Sequence, residues 1–372
     1  MAHQFGIDDD ADAKWLALTT GIHSGARWLD QLLHRFDSPY ALLECSAAEA
    51  QLLGVQSLQR DIANARVPSS LQRLIQEAPL NLITARDPEY PSLLAECEDR
   101  PPFLLVHGEV KVLRADTLSV VGTRKPSLDG TRAATAFAAA ATRAGRVVVS
   151  GLALGIDGLA HQSALAERGK TIAILPSGLD AVYPARHRHL ANQIKQHGAL
   201  VSEFPMGTPP RKHHFYRRNR TLSGFSAATL VIEAGRPSGT LLTASAAADQ
   251  GRDVLVLPWS VYHPEGSGCR YLLDDGAILI SSVDRFNEYL GSSGSDISAG
   301  DLLFAAQTDA VSDPDQKAVL ALTRCRPVPP EVLAAHLGWD LGRCLACLSS
   351  LEVSGRLQRT VSGYQATPQR PD

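Results

Sequence analysis

A doubly wound α/β protein with a mostly parallel sheet is predicted by three features of the sequence. Apolar runs alternate with helix-length segments between about Leu80 and Leu290, several of the runs are near-continuous Val, Ile and Leu, and several lead straight into glycine. Strands covered on both faces read as continuous apolar runs. Strand, helix, strand, helix over this length calls for right-handed crossovers between parallel strands.

Each element can be justified in order. From Asp12 to about Glu77 apolar residues recur at spacings of three and four: Trp15, Leu16 and Leu18, then Trp28, Leu29, Leu32 and Leu33, then Tyr40, Leu42 and Leu43. This is the signature of short amphipathic helices, punctuated by Gly21, Gly25, Ser38-Pro39 and Gly54. The predicted strands are Leu118–Val121, Val147–Val149, Thr171–Leu175, Leu200–Val201, Thr229–Ile232, Val254–Leu257 and Ala277–Ile280. The helices between them are Ser127–Ala144, Ile156–Glu167, His187–His197 and Leu241–Gln250. Gly291-Ser-Ser-Gly-Ser295 has the composition of a flexible linker. Beyond it, Gln316–Arg324, Pro329–His336 and Leu341–Val353 read as three helices, followed by two short strands around Ser362-Gly363. That outline is a winged helix, a variant of helix-turn-helix.

Composition bounds the function. A chain of 372 residues allows two or three domains, and 44% hydrophobic content excludes wholesale disorder. The formal net charge of −3 gives no global reason to expect nucleic acid or membrane. No run reaches the roughly 18 apolar residues of a membrane span. Residues 1–10 lack a charged-then-apolar leader, and six scattered cysteines make no disulfide framework, so a cytoplasmic protein is expected.

Local sequence says more. In an open parallel sheet, ligands sit beyond the carboxyl ends of the strands, where glycine turns let backbone N–H groups face an anion. Here those ends carry Gly122-Thr123-Arg124-Lys125, Ser150-Gly151 through Gly155, Pro176-Ser-Gly178, and Pro237-Ser238-Gly239-Thr240. None is a dinucleotide fingerprint or a Walker loop. One such glycine can be only a tight turn, but several on one edge favour a phosphate-bearing ligand. The segment Arg211–Arg220 adds five Lys/Arg and two His around Phe215 and Tyr216. From Ala181 to Ile232 eight basic residues face the single acid Glu203, a local charge of +7. Cations that track phosphates beside a ring that stacks a base suit a single strand; a solvated basic loop is the plainer alternative. Asp157 and His161, four apart, could form an acid–base pair or simply brace their helix. Cys344 and Cys347 have redox-like spacing but lie in a helix, and read as small apolar residues. No metal site and no cofactor are expected.

Six ordered motifs make the pattern specific. They are Val121–Ser127, Ser150–His161, Leu179-Asp-Ala-Val-Tyr-Pro184, Ser202-Glu-Phe-Pro205, Phe215-Tyr-Arg-Arg-Asn-Arg220 and Ser238–Ala244. Together they resemble the DprA/Smf family of bacterial DNA-processing proteins, over nearly the whole chain. The resemblance implies a SAM-like helical domain over 1–78, an extended Rossmann-like domain over 79–290, a linker over 291–312 and a winged helix over 313–372. It implies a non-enzymatic protein of natural transformation that binds incoming single-stranded DNA, protects it, loads the RecA recombinase, and dimerises through the Rossmann-like domain. The DNA-binding residues it implies, with the glycine turns, are Gly122, Thr123, Arg124, Ser150, Gly151, Gly155, Lys212, Phe215, Arg218, Asn219, Arg220, Ser238, Gly239 and Thr240. Two departures stand out. Tyr216 replaces the family's proline, which implies a less rigid loop, and Trp259 follows Pro258 where the family has glycine. The alternative is a nucleotide-processing enzyme of the lysine-decarboxylase-like phosphoribohydrolase group. Those enzymes carry a glutamate that Pro237–Thr243 lacks.

Overall fold

The computed structural model describes residues 3–6, 9–21, 39–66, 69–292, 314–323, 328–353, 356–360 and 363–366. The helix expected around Trp28–Leu33, the linker beyond Ser292, and Arg324 and Ser362 lie outside them. Two compact units are present, Met1–Gly291 and Ser292–Asp372.

The first unit is built on a ten-stranded sheet among the described residues. Its strands are β1 (His3–Gln4), β2 (Leu80–Thr84), β3 (Phe103–Gly108), β4 (Thr117–Val121), β5 (Val147–Ser150), β6 (Thr171–Ile174), β7 (Gly198–Ser202), β8 (Ala228–Val231), β9 (Asp253–Val256) and β10 (Ile278–Leu279). Their spatial order is β1-β2-β3-β7-β6-β5-β4-β8-β9-β10. From β7 to β10 every pairing is parallel. The chain starts in the middle at β4, runs outward through β5 and β6 to β7, and returns to the other side of β4 as β8. The sheet is therefore doubly wound, with its topological switch point between β4 and β8. β1, β2 and β3 extend it antiparallel beyond β7.

Both faces of the sheet are covered, and the strands show it residue by residue. Phe103 and Leu105 of β3 join one apolar cluster, while Leu104 and Val106 join the other. Ala173 and Leu175 divide from Ile172 and Ile174 in the same way. This is the period-two alternation of a strand buried on both sides. The N-terminal helices Asp9–Gly21, Pro39–Glu44, Ala47–Leu53, Gln56–Ala63 and Ser69–Glu77 pack into the first cluster through Trp15, Leu18, Leu42, Ile62 and Leu71. They share that core with Leu80, Leu82 and Phe103 of the sheet.

Two of the crossover helices start at serine caps. Ser127 caps the helix Leu128–Arg143, its Oγ accepting from Gly130 N, and Ser238 caps Gly239–Asp249 by accepting from Thr240 N. Satisfying an orphan N–H in this way is worth about 1 kcal/mol. The basic segment, expected as a loop, is instead a helix, Lys212–Gly224. Tyr216 lies inside it, so replacing proline there gives a regular helical turn rather than a looser loop.

The second unit has helices Pro314–Thr323, Pro330–Leu337 and Leu341–Val353 and the antiparallel pair Leu357–Thr360 and Gly363–Ala366, a winged helix. Its core gathers Val319, Leu333, Leu348, Leu351, Leu357 and Tyr364. Cys344 is fully buried in that core, where burial raises its thiol pKa. Among the described residues no helix is long and apolar enough to cross a membrane.

Candidate nucleic-acid interface

At the switch point the chain leaves β4 as Gly122-Thr123-Arg124 and leaves β8 as Ile232 through Pro237. Backbone bonds lock the two exits together: Ile232 N donates to Val121 O at 3.0 Å and Thr123 N to Glu233 O at 2.7 Å, while Ile156 N, at the start of the helix after β5, donates to Thr123 O at 3.1 Å. Beneath them the fully buried Glu233 carboxylate accepts from Ser127 N at 2.9 Å and meets His263 Nε2 at 2.6 Å. Trp259, in place of the family's glycine, donates from Nε1 to Ile232 O at 2.7 Å and stacks on His263 at 4.5 Å. The floor of the site is thus braced from below.

Above this floor opens a cleft of about 1070 Å³. One wall is the helix Lys212–Gly224, which presents Lys212, Phe215, Tyr216, Asn219 and Leu222 at the three- and four-residue spacing of a single helical face. The opposite wall is the start of Gly239–Asp249, with Ser238, Gly239, Thr240, Leu242 and Thr243. Val121, Gly122, Thr123, Arg124, Ala153 and Tyr183 add to the lining, with the exposed His213, and with the buried Asp157 and Arg218 at its floor.

Phe215 sits at the focus. Arg124 Cζ lies 5.3 Å from its ring centroid, Arg218 Cζ lies 5.7 Å away, and Tyr183 meets it edge-on at 5.7 Å. Arg124 and Lys212 are exposed and make no ion pair among the described residues. Their charge is therefore available to an anion. The N-terminus of Gly239–Asp249 adds partial positive charge from its backbone dipoles.

Arg218 plays a different part. It is 4% exposed, and its Nη1 donates to Gly151 O at 2.5 Å and Ile174 O at 2.8 Å, while Nε donates to Asn219 Oδ1 at 3.1 Å. Burial lowers its pKa to about 10, against the opposing pull of Asp157. Asp157 is buried too and its pKa is raised by desolvation, which the Arg218 charge counters. Its carboxylate accepts from Gly151 N at 3.1 Å and Ala153 N at 3.3 Å. Those amides flank Leu152, held left-handed at φ 57°. Such a curl of N–H groups is an anion nest, and here Asp157 already occupies it.

The glycines divide by the same test. A β-carbon on Gly122 would stand 2.5 Å from Ile156 Cγ1, and one on Gly151 would stand 2.3 Å from Arg218 Nη1. Gly155 has φ 79° and is packed against Thr123 O. These three make room for the protein itself. A β-carbon on Gly239 would meet nothing within 4 Å, so its backbone faces open space in the cleft.

Several expected site residues therefore take other places. Arg220 does not line the cleft: it pairs with Asp99, and with Asp249 at 3.4 Å. Ser150 is buried and donates from Oγ to Val120 O at 2.6 Å. The +7 of the linear count also shrinks, because acids from outside that stretch neutralise part of it: Lys195 pairs with Glu77 and Arg220 with Asp99. Asp157 and His161 do not meet; His161 Nδ1 bonds Thr171 Oγ1 at 2.7 Å. The sequence reading missed Tyr183 and Leu242. Tyr183 stood within a quoted motif, but nothing in one dimension aimed it at Phe215.

Comparison with known proteins agrees with this architecture. The family of DNA recombination-mediator protein A matches residues 81–291, and the DprA winged helix domain matches residues 305–363. Protein Smf of Escherichia coli is 37% identical over 292 residues, covering 76% of each chain. DNA processing protein DprA of Bacillus subtilis is 36% identical over 215 residues, 57% of this chain and 72% of that one. The crystal structure of DprA from Streptococcus pneumoniae superposes with a TM-score of 0.62 at 29% identity, covering 74% of this chain and 95% of that one. DNA processing protein A of Helicobacter pylori, a single-stranded DNA binder, gives 0.52 at 29% identity over 57% and 96%. With more than half of its length inside one family and its last domain inside the matching winged helix, the chain belongs to the DprA/Smf family of DNA-processing, recombination-mediator proteins.

Proposed function

We propose that the cleft at the β4/β8 switch point binds single-stranded DNA and that the protein delivers that strand to the RecA recombinase. The observation that carries the reading is the meeting of two exposed, unpaired cations, Arg124 and Lys212, with a partly exposed ring, Phe215, at one strand-end crevice. Phosphates pair with Arg124 and Lys212 and with the open backbone at Gly239, while a base lies against Phe215. Thr123, Asn219, Ser238 and Thr240 supply polar contacts. Arg218 and Asp157 hold the floor in shape. A base inside a duplex cannot reach the ring, so a single strand is favoured. The single-stranded DNA binding described for the Helicobacter pylori protein supports this reading.

RecA loading, protection of incoming DNA in natural transformation, and a cytoplasmic, non-enzymatic role follow from family membership. The same membership suggests a homodimer through the Rossmann-like domain. The exposed Leu279 on the edge strand β10 supports placing that contact at the β10 edge. We assign 1–78 to the N-terminal helical domain, 79–290 to the DNA-binding domain, 291–312 to a linker and 313–372 to the winged helix.

The test is titration of labelled oligo-dT and of a duplex of equal length at two salt concentrations. Tight, salt-sensitive preference for the single strand is expected, since released counterions make affinity fall with salt. Absence of binding to either would return attention to nucleotide chemistry.

A further inference from the structure

Phe215 accounts for one base. The cleft continues past it to Tyr216 and Leu242, both of which line it from opposite walls. Tyr216 is 53% exposed and Leu242 49% exposed. Tyr216 makes no hydrogen bond or ring contact among the described residues. Neither side chain fills the core, whereas Leu222 and Thr243 on the same two helices are buried. Two large apolar groups that line one cleft with the unpaired cations Lys212 and Arg124 offer a contiguous apolar surface for a ligand to cover.

Resting on the single-strand reading above, we infer that Tyr216 and Leu242 form a second base-stacking station, so that the cleft takes two successive unstacked bases. The first lies on Phe215 between Arg124 and Tyr183. The second lies over the ring of Tyr216, with Leu242 against its other side. The helix Lys212–Gly224 fixes the two rings rigidly, because its buried face is pinned by Arg218, by Thr221 donating to Glu203 at 2.6 Å, and by Leu222. Rings held at adjacent helical positions point in different directions, so the two bases are splayed rather than stacked on each other. Pairing to a complementary strand is then excluded at both positions. This feature belongs to this chain, since a proline at 216 would offer no aromatic face.

The experiment uses the full-length protein and anisotropy of labelled oligo-dT at several salt concentrations. Tyr216→Ala is expected to weaken binding about tenfold, the loss of one stacked base. Tyr216→Phe should bind as the parent does. The salt slope should be the same in all three, because no cation has been removed. A single abasic step placed next to the base held on Phe215, scanned along a short oligonucleotide, should cost the parent about as much as Tyr216→Ala does, and cost Tyr216→Ala little further. Parent-like affinity of Tyr216→Ala, or equal losses from the abasic step in both proteins, overturns the second station while leaving the cleft reading intact. If the parent binds no single strand at any salt, the cleft reading itself falls, and the second station with it.

Discussion

Four of the five basic residues in Arg211–Arg220 meet three different fates, and their neighbours decide which. Arg217 and Arg220 turn away from the cleft to acids, Arg218 goes under the floor, and Lys212 stays in water. We therefore expect Arg124→Ala and Lys212→Ala each to weaken oligo-dT binding and to lower the salt slope by roughly 0.7, the share of one phosphate contact on a single strand. Arg220→Ala should leave both unchanged and cost at most about 1 kcal/mol of stability, as a solvent-facing ion pair does. Should Arg220→Ala weaken binding as Arg124→Ala does, the boundary drawn here for the cleft is too narrow. Arg218→Ala acts on the fold instead. It strips the donor from Gly151 O and Ile174 O and removes the larger of the two positive charges that counter the burial of Asp157, leaving Arg124. Leaving buried acceptors without a donor costs roughly 1–3 kcal/mol each, visible as a lower urea midpoint before any DNA is added.

Between elements, buried histidines serve as joints. Thr171 Oγ1 on β6 donates its one proton to Val148 O on β5 at 2.7 Å, so it must accept from His161 Nδ1 on the helix Ile156–Ala166. His161 is thus neutral with its proton on Nδ1, and its buried Nε2 has no partner among the described residues. Burial lowers its pKa to about 3. His107 on β3 likewise donates from Nε2 to Leu74 O at 2.9 Å, joining the helix Ser69–Glu77 to the sheet, and burial lowers it to about 4. In the unfolded chain both titrate near 6.5. Between pH 6.5 and 4 the unfolded state therefore binds more protons, and stability falls as pH falls, by up to about 1.4 kcal/mol per pH unit for each histidine. Urea midpoints at pH 7 and pH 5 should differ less in His161→Gln than in the parent; an equal difference would mean that His161 is not held neutral. The same scale shows what was legible beforehand. The parallel strands announced themselves as apolar runs, because both of their faces are buried. β2 and β3 did not: the stretch that joins them carries Pro88, Pro91, Pro101 and Pro102 and only the single helical turn Ser92–Ala95, so no crossover rhythm marks them. The helix Lys212–Gly224 was hidden for another reason. Its buried face includes His214, Arg218 and Thr221, so apolar periodicity could not report it. The strand-end location of the site was readable from topology, whereas the assignment of each arginine depended on acids distant in sequence.

At the scale of the molecule, the residues that line the cleft run from Val121 to Thr243, all within the first unit. That unit does not end with the last strand of the sheet. The helix Val283–Ser292 returns to it: Phe286 is fully buried and meets Phe137 edge-on at 5.2 Å, Tyr289 Oη donates to Asp253 Oδ2 at 2.7 Å, and Arg146 Nη2 donates to Leu290 O at 3.0 Å. Two truncations consequently have opposite outcomes. A chain ending after Ser292 loses the winged helix but keeps every lining residue and its supports, so its affinity for oligo-dT should lie within about twofold of the full-length protein, as for independent, separated sites. A chain ending before Val283 exposes the cavity left by Phe286. Losing a buried phenylalanine alone costs roughly 3–5 kcal/mol, so its thermal midpoint should fall sharply even though no cleft residue has been touched. If the longer truncate keeps its thermal midpoint but loses the single strand, the winged helix carries part of the binding, and the cleft alone is not the whole interface.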